Sequence, residues 1–546
     1  MKFSLFYFML LLVTCVEVVF CKQPNIVVIL VDDLGYNDVG FRGSNQIQTP
    51  NIDALAYNGA VLNRFYTLPT CTPSRAALLT GNYPIRSGFQ GVPITAGEDR
   101  SIPTDMSTLP ERLKELNYTS HLVGKWHLGS AHQNATPTGR GFDSHYGYWN
   151  GYMGYFNHQI GNPGFQGLDM HNNFQPDFET VGKYATDLFT DRAIKLINTH
   201  DYKQPLFLLV SHLAPHTGKL DEETNNTVLE EKSAHKMNRR FGYIPDVKRR
   251  RYADIVNSVD ESIGEIVNAL STRGVLRNTM ILFMSDNGGQ TFGMHENFAS
   301  NWPLRGLKFT HFEGAIRGTA VFYSDKLTRK GRINDHLIHI TDLLPTFYKA
   351  GGGDPHNLGE IDGMNQLETI LKGEPSEREE LLINIDEVEN HVGIIGYQGR
   401  YKYINGTIYN NTYDGYHGAI GRGKENPKYN ISAVLQSDVN VALAHLSFNR
   451  LTVDGIAKRR KHLQSRDCRQ FLPINLDCYP CLFDLWMDPC ETRNIARDQP
   501  TILVNLMRRI DEFWKNLVPQ QNKPVDPRSN SANYENVWTT WLDTDE

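Results

Sequence analysis

Asn25-Ile-Val-Val-Ile-Leu-Val31 is an unbroken apolar run, rich in β-branched residues, that stops at Asp32-Asp33-Leu34-Gly35. Such a run, with no polar alternation, predicts a strand buried on both faces, as in a parallel sheet. Two further runs have the same form. Leu206–Val210 leads into Ser211-His212-Leu-Ala-Pro-His216, and Met280–Met284 ends at Ser285-Asp286-Asn287-Gly288-Gly289. Shorter strands are expected at His121–Val123, before Gly124-Lys125-Trp126-His127-Leu128-Gly129, and at Thr319–Tyr323. Between the strands the apolar spacing is helical. Thr49-Pro50 is a cap and first helical residue, and Gly59 a stop. Further helices are expected from Pro73 to Leu79, Leu109 to Leu116, Thr186 to Asn198, Arg250 to Leu270 and Thr341 to Lys349, the last capped by Thr341. Residues 139–178, rich in Gly, Asn and aromatics, read as a long irregular loop that shapes a pocket.

Strands alternate with helices as far as about Ile385, which predicts an α/β fold: a mostly parallel central sheet flanked by helices. Beyond that point come short strands (Val392–Gly396 and Tyr401–Ile404), turns, a cysteine cluster and a final helix from Pro500 to Leu517. These predict a smaller C-terminal α+β domain with an antiparallel sheet. The expected division is 1–21, 22–385 and 386–546, and no internal repeat is visible.

The N-terminus changes the compartment. Lys2 followed by the apolar stretch Phe3–Val13, broken at Thr14–Glu17, reads as a secretory signal peptide ending near Cys21. No later stretch approaches a membrane span. Asn-X-Ser/Thr sequons at Asn117, Asn134, Asn225, Asn405, Asn410 and Asn430 fit a glycoprotein of the secretory pathway, lysosomal or secreted. A net charge of −6 over 546 residues argues against nucleic-acid binding.

Of seven cysteines, Cys15 and Cys21 leave with the signal peptide. Cys468, Cys478, Cys481 and Cys490 suffice for two disulfides in an oxidising compartment, with three pairings open. A zinc knuckle would need paired C-x2-C spacing, which is missing. Cys71 is left over, roughly 400 residues from the cluster.

The chemistry-bearing residues collect where strands end. In an open α/β sheet, ligands bind beyond the carboxyl ends of the strands. Asp32, Asp33, Asp286 and Asn287 would there make a cage of hard oxygen donors suited to Ca²⁺ or Mg²⁺. Lys125 and His127, two apart in extended chain, share a face. Arg305, Lys308 and Arg317 are a candidate anion clamp or a solvated basic face. Cys71, with Arg75 one helical turn later, sits where helix N–H groups favour an anion; as a plain thiol it is a candidate low-pKa nucleophile.

Cys71-Thr-Pro-Ser-Arg75, with Leu78-Leu-Thr-Gly-Asn-Tyr-Pro84 after it, resembles the sulfatase signature. Asp32–Gly40, Gly124–Gly129, Ser285–Gln290 and Asn301–Lys308 extend the resemblance over most of the chain, and are most similar to the arylsulfatase B type, which acts on N-acetylgalactosamine-4-sulfate. The resemblance implies an alkaline-phosphatase/sulfatase-like fold and a sulfuric ester hydrolase. It implies that a formylglycine-generating enzyme converts Cys71 to Cα-formylglycine. It also implies one Ca²⁺ held by Asp32, Asp33, Asp286, Asn287 and residue 71. Arg75 would steady residue 71, Lys125 and His127 would contact its diol and the sulfate, and Lys308 would bind sulfate and the bridging oxygen. A histidine after the 206–210 strand would protonate the leaving group; by position this is His216, not His212. The sequence departs from the family pattern here, with Leu213-Ala-Pro-His-Thr217 in place of Ser-Val-His-Glu-Pro, so the leaving-group pocket differs. The expected partner is a sulfate ester, either a sulfated glycan or a small dietary ester such as a glucosinolate. The alternatives are a metal-dependent phosphatase of the same broad fold and a decayed sulfatase that grips sulfated glycans through Lys458-Arg-Arg-Lys461.

Overall fold

A computed structural model describes residues 23–162, 165–221, 223–224, 226–446, 450–464, 474–476 and 478–543. The signal-peptide reading with Cys15 and Cys21, the sequon at Asn225, and Cys468 all lie outside the described residues.

The large sheet is built from β1 (Asn25–Val31), β2 (Ala60–Leu62), β3 (Thr119–Lys125), β4 (Ser144–Tyr148), β5 (His171–Asn172), β6 (Gln175–Pro176), β7 (Leu206–Ser211), β8 (Thr279–Ser285), β9 (Ala320–Tyr323) and β10 (Arg332–Asn334). Among the described residues these ten strands run in the order β10-β2-β9-β8-β1-β7-β3-β4-β5-β6. The centre, β8-β1-β7-β3-β4, is parallel. Antiparallel pairs at β8–β9, β9–β2, β4–β5 and β5–β6 make the whole sheet mixed.

Every residue of β1 is buried. Ile26, Val28 and Leu30 join one apolar core and Val27, Ile29 and Val31 another, because successive strand side chains point to opposite faces. The first core is covered by α2 (Cys71–Thr80) and α5 (Leu343–Ala350). The second is covered by α1 (Pro50–Asn58), α3 (Ala185–Thr199) and α4 (Val247–Thr272). The alternation of strand and helix is thus one of layers. Pro50 opens α1 and Gly59 follows its end. The cap before α5 departs from expectation. His339 and Asp342 form a capping box over a short 3₁₀ turn, so Thr341 is not the cap.

The stretch 139–178 is not one irregular loop. It supplies β4, the fifth parallel strand, and a hairpin of Gln159–Asn162 against Phe165–Leu168. Glycines and aromatics hid it, because β4 alternates between buried and half-buried positions instead of forming an apolar run.

The small sheet is β11 (Leu381–Asp386), β12 (His391–Gly396), β13 (Tyr401–Asn405) and β14 (Cys481–Asp484), antiparallel throughout. Further helices are α6 (Ile431–Gln436), α7 (Asp438–Ala444), α8 (Val453–Gln464) and α9 (Pro500–Trp514). α9 packs on the small sheet, while α6, α7 and α8 return to the large layer around α1 and α4. Cys478 and Cys481 form a disulfide with Cα atoms 5.3 Å apart, and Cys490 is also disulfide-bonded. Cys71 is free and buried. Asn117, Asn134, Asn405, Asn410 and Asn430 are exposed.

Candidate active site

The register of the parallel strands brings the polar strand ends to one level. Val31 lies beside Ser285, Leu30 beside Ser211, and Ser211 beside Gly124. The next residues along the chain are therefore neighbours: Asp32 after β1, Asp286 after β8, and Lys125 closing β3. Gly124 makes the close approach possible, since a Cβ there would lie 1.9 Å from the Ser211 carbonyl oxygen.

Each carboxylate is held by a cation. Lys125 Nζ lies 2.6 Å from Asp32 Oδ2. Lys308 Nζ lies 2.8 Å from Asp33. Arg75 donates from Nε and Nη2 to Asp286 Oδ2 at 3.1 and 2.8 Å, and from Nη1 to Ser211 Oγ at 2.6 Å. Burial pushes the Asp33 carboxyl up, but Lys308 and His216 together outweigh it and hold it low. Asp286 is raised, by burial first and then by the charge of Asp32.

Cys71 is the first residue of α2, 3% exposed, on the wall of a cavity of about 630 Å³ shared with His127, His216 and Lys308. Burial raises its thiol pKa, and Lys125 and Lys308 only partly oppose that. Desolvation thus works against the lowering that the helix terminus and Arg75 suggested for a plain thiol. A larger cavity of about 720 Å³, around Arg86 and Asp362, contains none of the strand-end residues.

His127 has φ of 62° and donates from Nε2 to the Ile94 carbonyl at 2.9 Å, which leaves Nδ1 buried without a partner. His216 donates from Nδ1 to the Thr217 carbonyl at 2.6 Å and turns Nε2 toward Asp33, 3.6 Å away. Burial depresses the pKa of His127 well below the usual range and that of His216 to about 3.

Two buried oxygens, Asp32 Oδ1 and Asn287 Oδ1, have no hydrogen-bond partner. Leaving such acceptors buried costs ~1–3 kcal/mol each unless something else satisfies them. With Asp33 and Asp286 they form a set of oxygen donors that fits a hard divalent cation such as Ca²⁺. Ligand atoms of Asp32, Asp33 and His216 also lie within 4.8 Å of one another. Carboxylate and amide oxygens suit a hard cation better than imidazole does, so His216 is better read as a neighbour of such a cation than as its ligand.

The sequence profile described as Sulfatase matches residues 24–353. The chain belongs to the sulfatase family. It is 34% identical to arylsulfatase J of Mus musculus over 529 residues, 95% of this chain and 80% of that one. It is also 34% identical to N-acetylgalactosamine-6-sulfatase of Mus musculus over 372 residues, covering 65% of this chain and 68% of the relative. The crystal structure of Ps i-CgsB in complex with k-i-k-neocarrahexaose superposes with a TM-score of 0.70 at 26% identity, covering 94% of this chain and 97% of that one. The fold is therefore the alkaline-phosphatase-like sulfatase fold, and the protein is a sulfatase, a hydrolase of sulfate esters.

In this sulfatase the fold gathers Asp32, Asp33, Cys71, Arg75, Lys125, His127, His216, Asp286, Asn287 and Lys308 at one end of the parallel sheet. His212 points the other way and hydrogen-bonds Ser262 of α4 at 3.1 Å. Arg305, Lys308 and Arg317 do not form a clamp. Arg305 is 1% exposed and donates to the carbonyls of Asp414 and Glu491, while Arg317 donates to the Asn63 carbonyl. Arg305 is thus a buried structural cation and Arg317 a largely buried one, not a solvated face. In the basic run of α8, Arg460 donates to the Gly40 and Ser44 carbonyls and lies 4.0 Å from the Tyr429 ring centroid, so it is engaged in packing α8 onto the large layer. Sequence reading missed Tyr152 and His295. Tyr152 lies nearly parallel to the His216 ring with centroids 6.0 Å apart, and His295 lies 5.5 Å from His216. Tyr152 falls in the aromatic-rich stretch 139–178 read as pocket-shaping, but nothing singled it out within that stretch, and His295 stands in no motif or strand end.

Proposed function

We propose that this sulfatase works with a formylglycine formed from Cys71 and a Ca²⁺ held by Asp32, Asp33, Asp286 and Asn287, next to residue 71. The observation that carries the reading is the free, buried Cys71 on the cavity wall beside two ammonium groups and orphaned carboxylate and amide oxygens.

The hydrate of a formylglycine supplies a hydroxyl to attack sulfur and a second hydroxyl whose deprotonation expels sulfate and regenerates the aldehyde, while Ca²⁺ supplies charge stabilisation at the sulfate oxygens. Arg75, through its two hydrogen bonds to Asp286, would orient that carboxylate as the group that accepts the proton of the attacking hydroxyl. Lys125 and Lys308 each have one carboxylate partner, leaving ammonium N–H groups for sulfate oxygens. The unpartnered Nδ1 of His127 is an acceptor for the proton of the second hydroxyl. His216 would donate from Nε2 to the leaving oxygen. That requires the imidazolium, which Asp33 favours and a bound sulfate would favour further.

For the substrate, the sequence blocks favour the arylsulfatase B type, and hence N-acetylgalactosamine-4-sulfate or a related glycan ester. A small dietary sulfate ester is the second reading, favoured by the departure at Leu213–Thr217. The signal-peptide pattern and exposed sequons support maturation in the secretory pathway, where a formylglycine-generating enzyme would act, and a lysosomal or secreted destination. No helix among the described residues is long and apolar enough to cross a membrane. The test is mass spectrometry of the peptide holding residue 71 together with sulfate release. An aldehyde at residue 71 in active protein is expected; an intact thiol throughout active protein would refute the formylglycine reading.

A further inference from the structure

One wall of the catalytic cavity has no secondary structure of its own. Residues 87–97 form no helix or strand, yet Val92, Ile94, Thr95 and Ala96 line the cavity. This loop also reaches the reacting groups. The Ile94 carbonyl accepts from His127 Nε2 at 2.9 Å, which fixes the ring proton on that nitrogen and the lone pair on Nδ1. The Ile94 N–H donates to Thr72 Oγ1 at 3.2 Å, and Thr72 Oγ1 donates to the His127 carbonyl at 3.3 Å. Thr72 follows residue 71 directly, so a shift of Ile94 disturbs both the His127 imidazole and the first turn of α2.

A loop without a ladder of hydrogen bonds is stiff only where other parts of the chain hold it. Here the holder comes from the far end of the sequence. Val518, Gln521 and Asp526 donate backbone N–H groups to the carbonyls of Ile85, Gly88 and Gly97 at 2.8, 3.0 and 2.8 Å. Asn522 Nδ2 donates to the Val92 carbonyl at 3.1 Å. The two segments lie too close for side chains at the crossing points. A Cβ at Gly88 would lie 2.7 Å from the Pro519 carbonyl oxygen, and one at Gly97 2.3 Å from Ser529 Oγ. Glu98 fastens the contact. It is 2% exposed, and its carboxylate accepts from the backbone N–H groups of Lys523 and Thr95, both at 2.9 Å. It also pairs with Arg100, which donates to the Val92 carbonyl at 2.8 Å. One buried side chain therefore ties the C-terminal tail to the residue beside Ile94.

We propose that residues 518–529 form a C-terminal strap that orients His127 and residue 71, with Glu98 as the positioning residue that fastens it to the loop around Ile94. The proposal rests on the proton-accepting role given to His127 above and adds what holds that role in place. Glu98 does not line the cavity, so its effect on turnover has to pass through the loop.

The test uses the full chain carrying the aldehyde, with whichever of 4-methylumbelliferyl sulfate and an N-acetylgalactosamine-4-sulfate oligosaccharide the wild type cleaves faster. Glu98→Ala is expected to lower kcat about 10–10²-fold with KM changed less than about threefold, because Lys125 and Lys308 are not on the loop. Glu98→Gln keeps one acceptor and should recover most of that loss. Glu98→Ala strands the buried Arg100 and is prone to misfold. Asn522→Ala, at an exposed position of the strap, removes one bond without stranding a charge and should lower kcat about threefold at an unchanged thermal midpoint. Hydrogen exchange measured without substrate should show faster exchange of amides 94–98 in each variant that loses kcat. Faster exchange with kcat kept overturns the proposal and leaves the strap a structural element. A rise in KM at unchanged kcat also overturns it, since the loop would then be a substrate wall only. Unaltered exchange in Asn522→Ala and Glu98→Gln, with kcat at the wild-type level, does the same. No sulfate release by the aldehyde-bearing wild type overturns the role of His127 and this proposal with it, an outcome set apart because the wild type itself fails.

Discussion

Two clusters of buried charge can be set side by side. At the strand ends, Asp32, Asp33 and Asp286 face Arg75, Lys125 and Lys308. Between the large layer and the small sheet, Glu313 and Glu491 face Lys402 of β13, with Arg317 alongside. Both clusters balance their formal charge, and the carboxylates and ammonium groups in both are nearly inaccessible. They differ in spare bonding capacity. Lys402 Nζ has acceptors on three sides, Glu313 and Glu491 at 2.8 Å and the His311 carbonyl at 3.2 Å, although Glu313 Oε1 is itself left without a hydrogen bond. Lys125 and Lys308 each meet a single carboxylate, and Asp32 Oδ1 and Asn287 Oδ1 meet nothing. Burial alone therefore does not mark an active site; unspent donors and acceptors beside a cavity do.

Breaking the two clusters should give different losses. The largest effect is expected for Cys71→Ala, which should lower sulfate release on the order of 10⁴-fold or more while leaving the thermal midpoint nearly unchanged. Next, Lys308→Met should lower kcat about 10²–10³-fold by removing a charge from the sulfate oxygens, read by steady-state kinetics. Lys402→Met should act the other way. It strands two buried carboxylates and should cost about 3–5 kcal/mol in chemical denaturation, with activity per folded molecule kept. If Lys402→Met silences the enzyme at full stability, the contrast between the clusters fails.

Chelation tests the orphaned oxygens. Removing Ca²⁺ should abolish activity and lower stability by ~2.7 kcal/mol relative to Ca²⁺ at a hundredfold excess over its Kd, and Mg²⁺ should restore less. An unchanged midpoint with chelator would count against the oxygen cage. A further effect concerns pH. His391 of β12 stacks on His311 with ring centroids 3.5 Å apart, and burial depresses its pKa from 6.5 to about 3. A depressed folded pKa means that its contribution is fully present above 6.5 and is lost as pH falls toward 3. The unfolding midpoint should therefore drop between pH 7 and pH 4, and His391→Asn should flatten that slope; an equally steep slope in the variant would remove His391 as its cause.

Much of this was legible along the chain because burial imprints a local pattern. The apolar run Asn25–Val31 announced a strand covered on both faces, and its abrupt end at Asp32-Asp33 marked the point where the backbone leaves the sheet. The same held for Asp286-Asn287 after Met280–Met284, and the Cys71–Arg75 signature lies within one helical turn. What escaped had no local period. The strand Ser144–Tyr148 read as loop because one of its sides is half-buried. The capping of α5 by His339 and Asp342 depended on backbone geometry, not on Thr341. Arg305 read as a clamp residue until its partners, Asp414 and Glu491, appeared more than a hundred residues away.

The sequence by itself determined the layered α/β core, the chemistry-bearing residues and the family, since each is written in spacing over a few residues. Tertiary structure alone decided that these residues converge, because convergence needs a common strand register across segments far apart in sequence. It also decided that Arg460 is engaged in packing, and that Tyr152, Phe309 and Tyr409 line one cavity. These outcomes depend on which surfaces exclude water together, and that is settled only when distant parts of the chain pack.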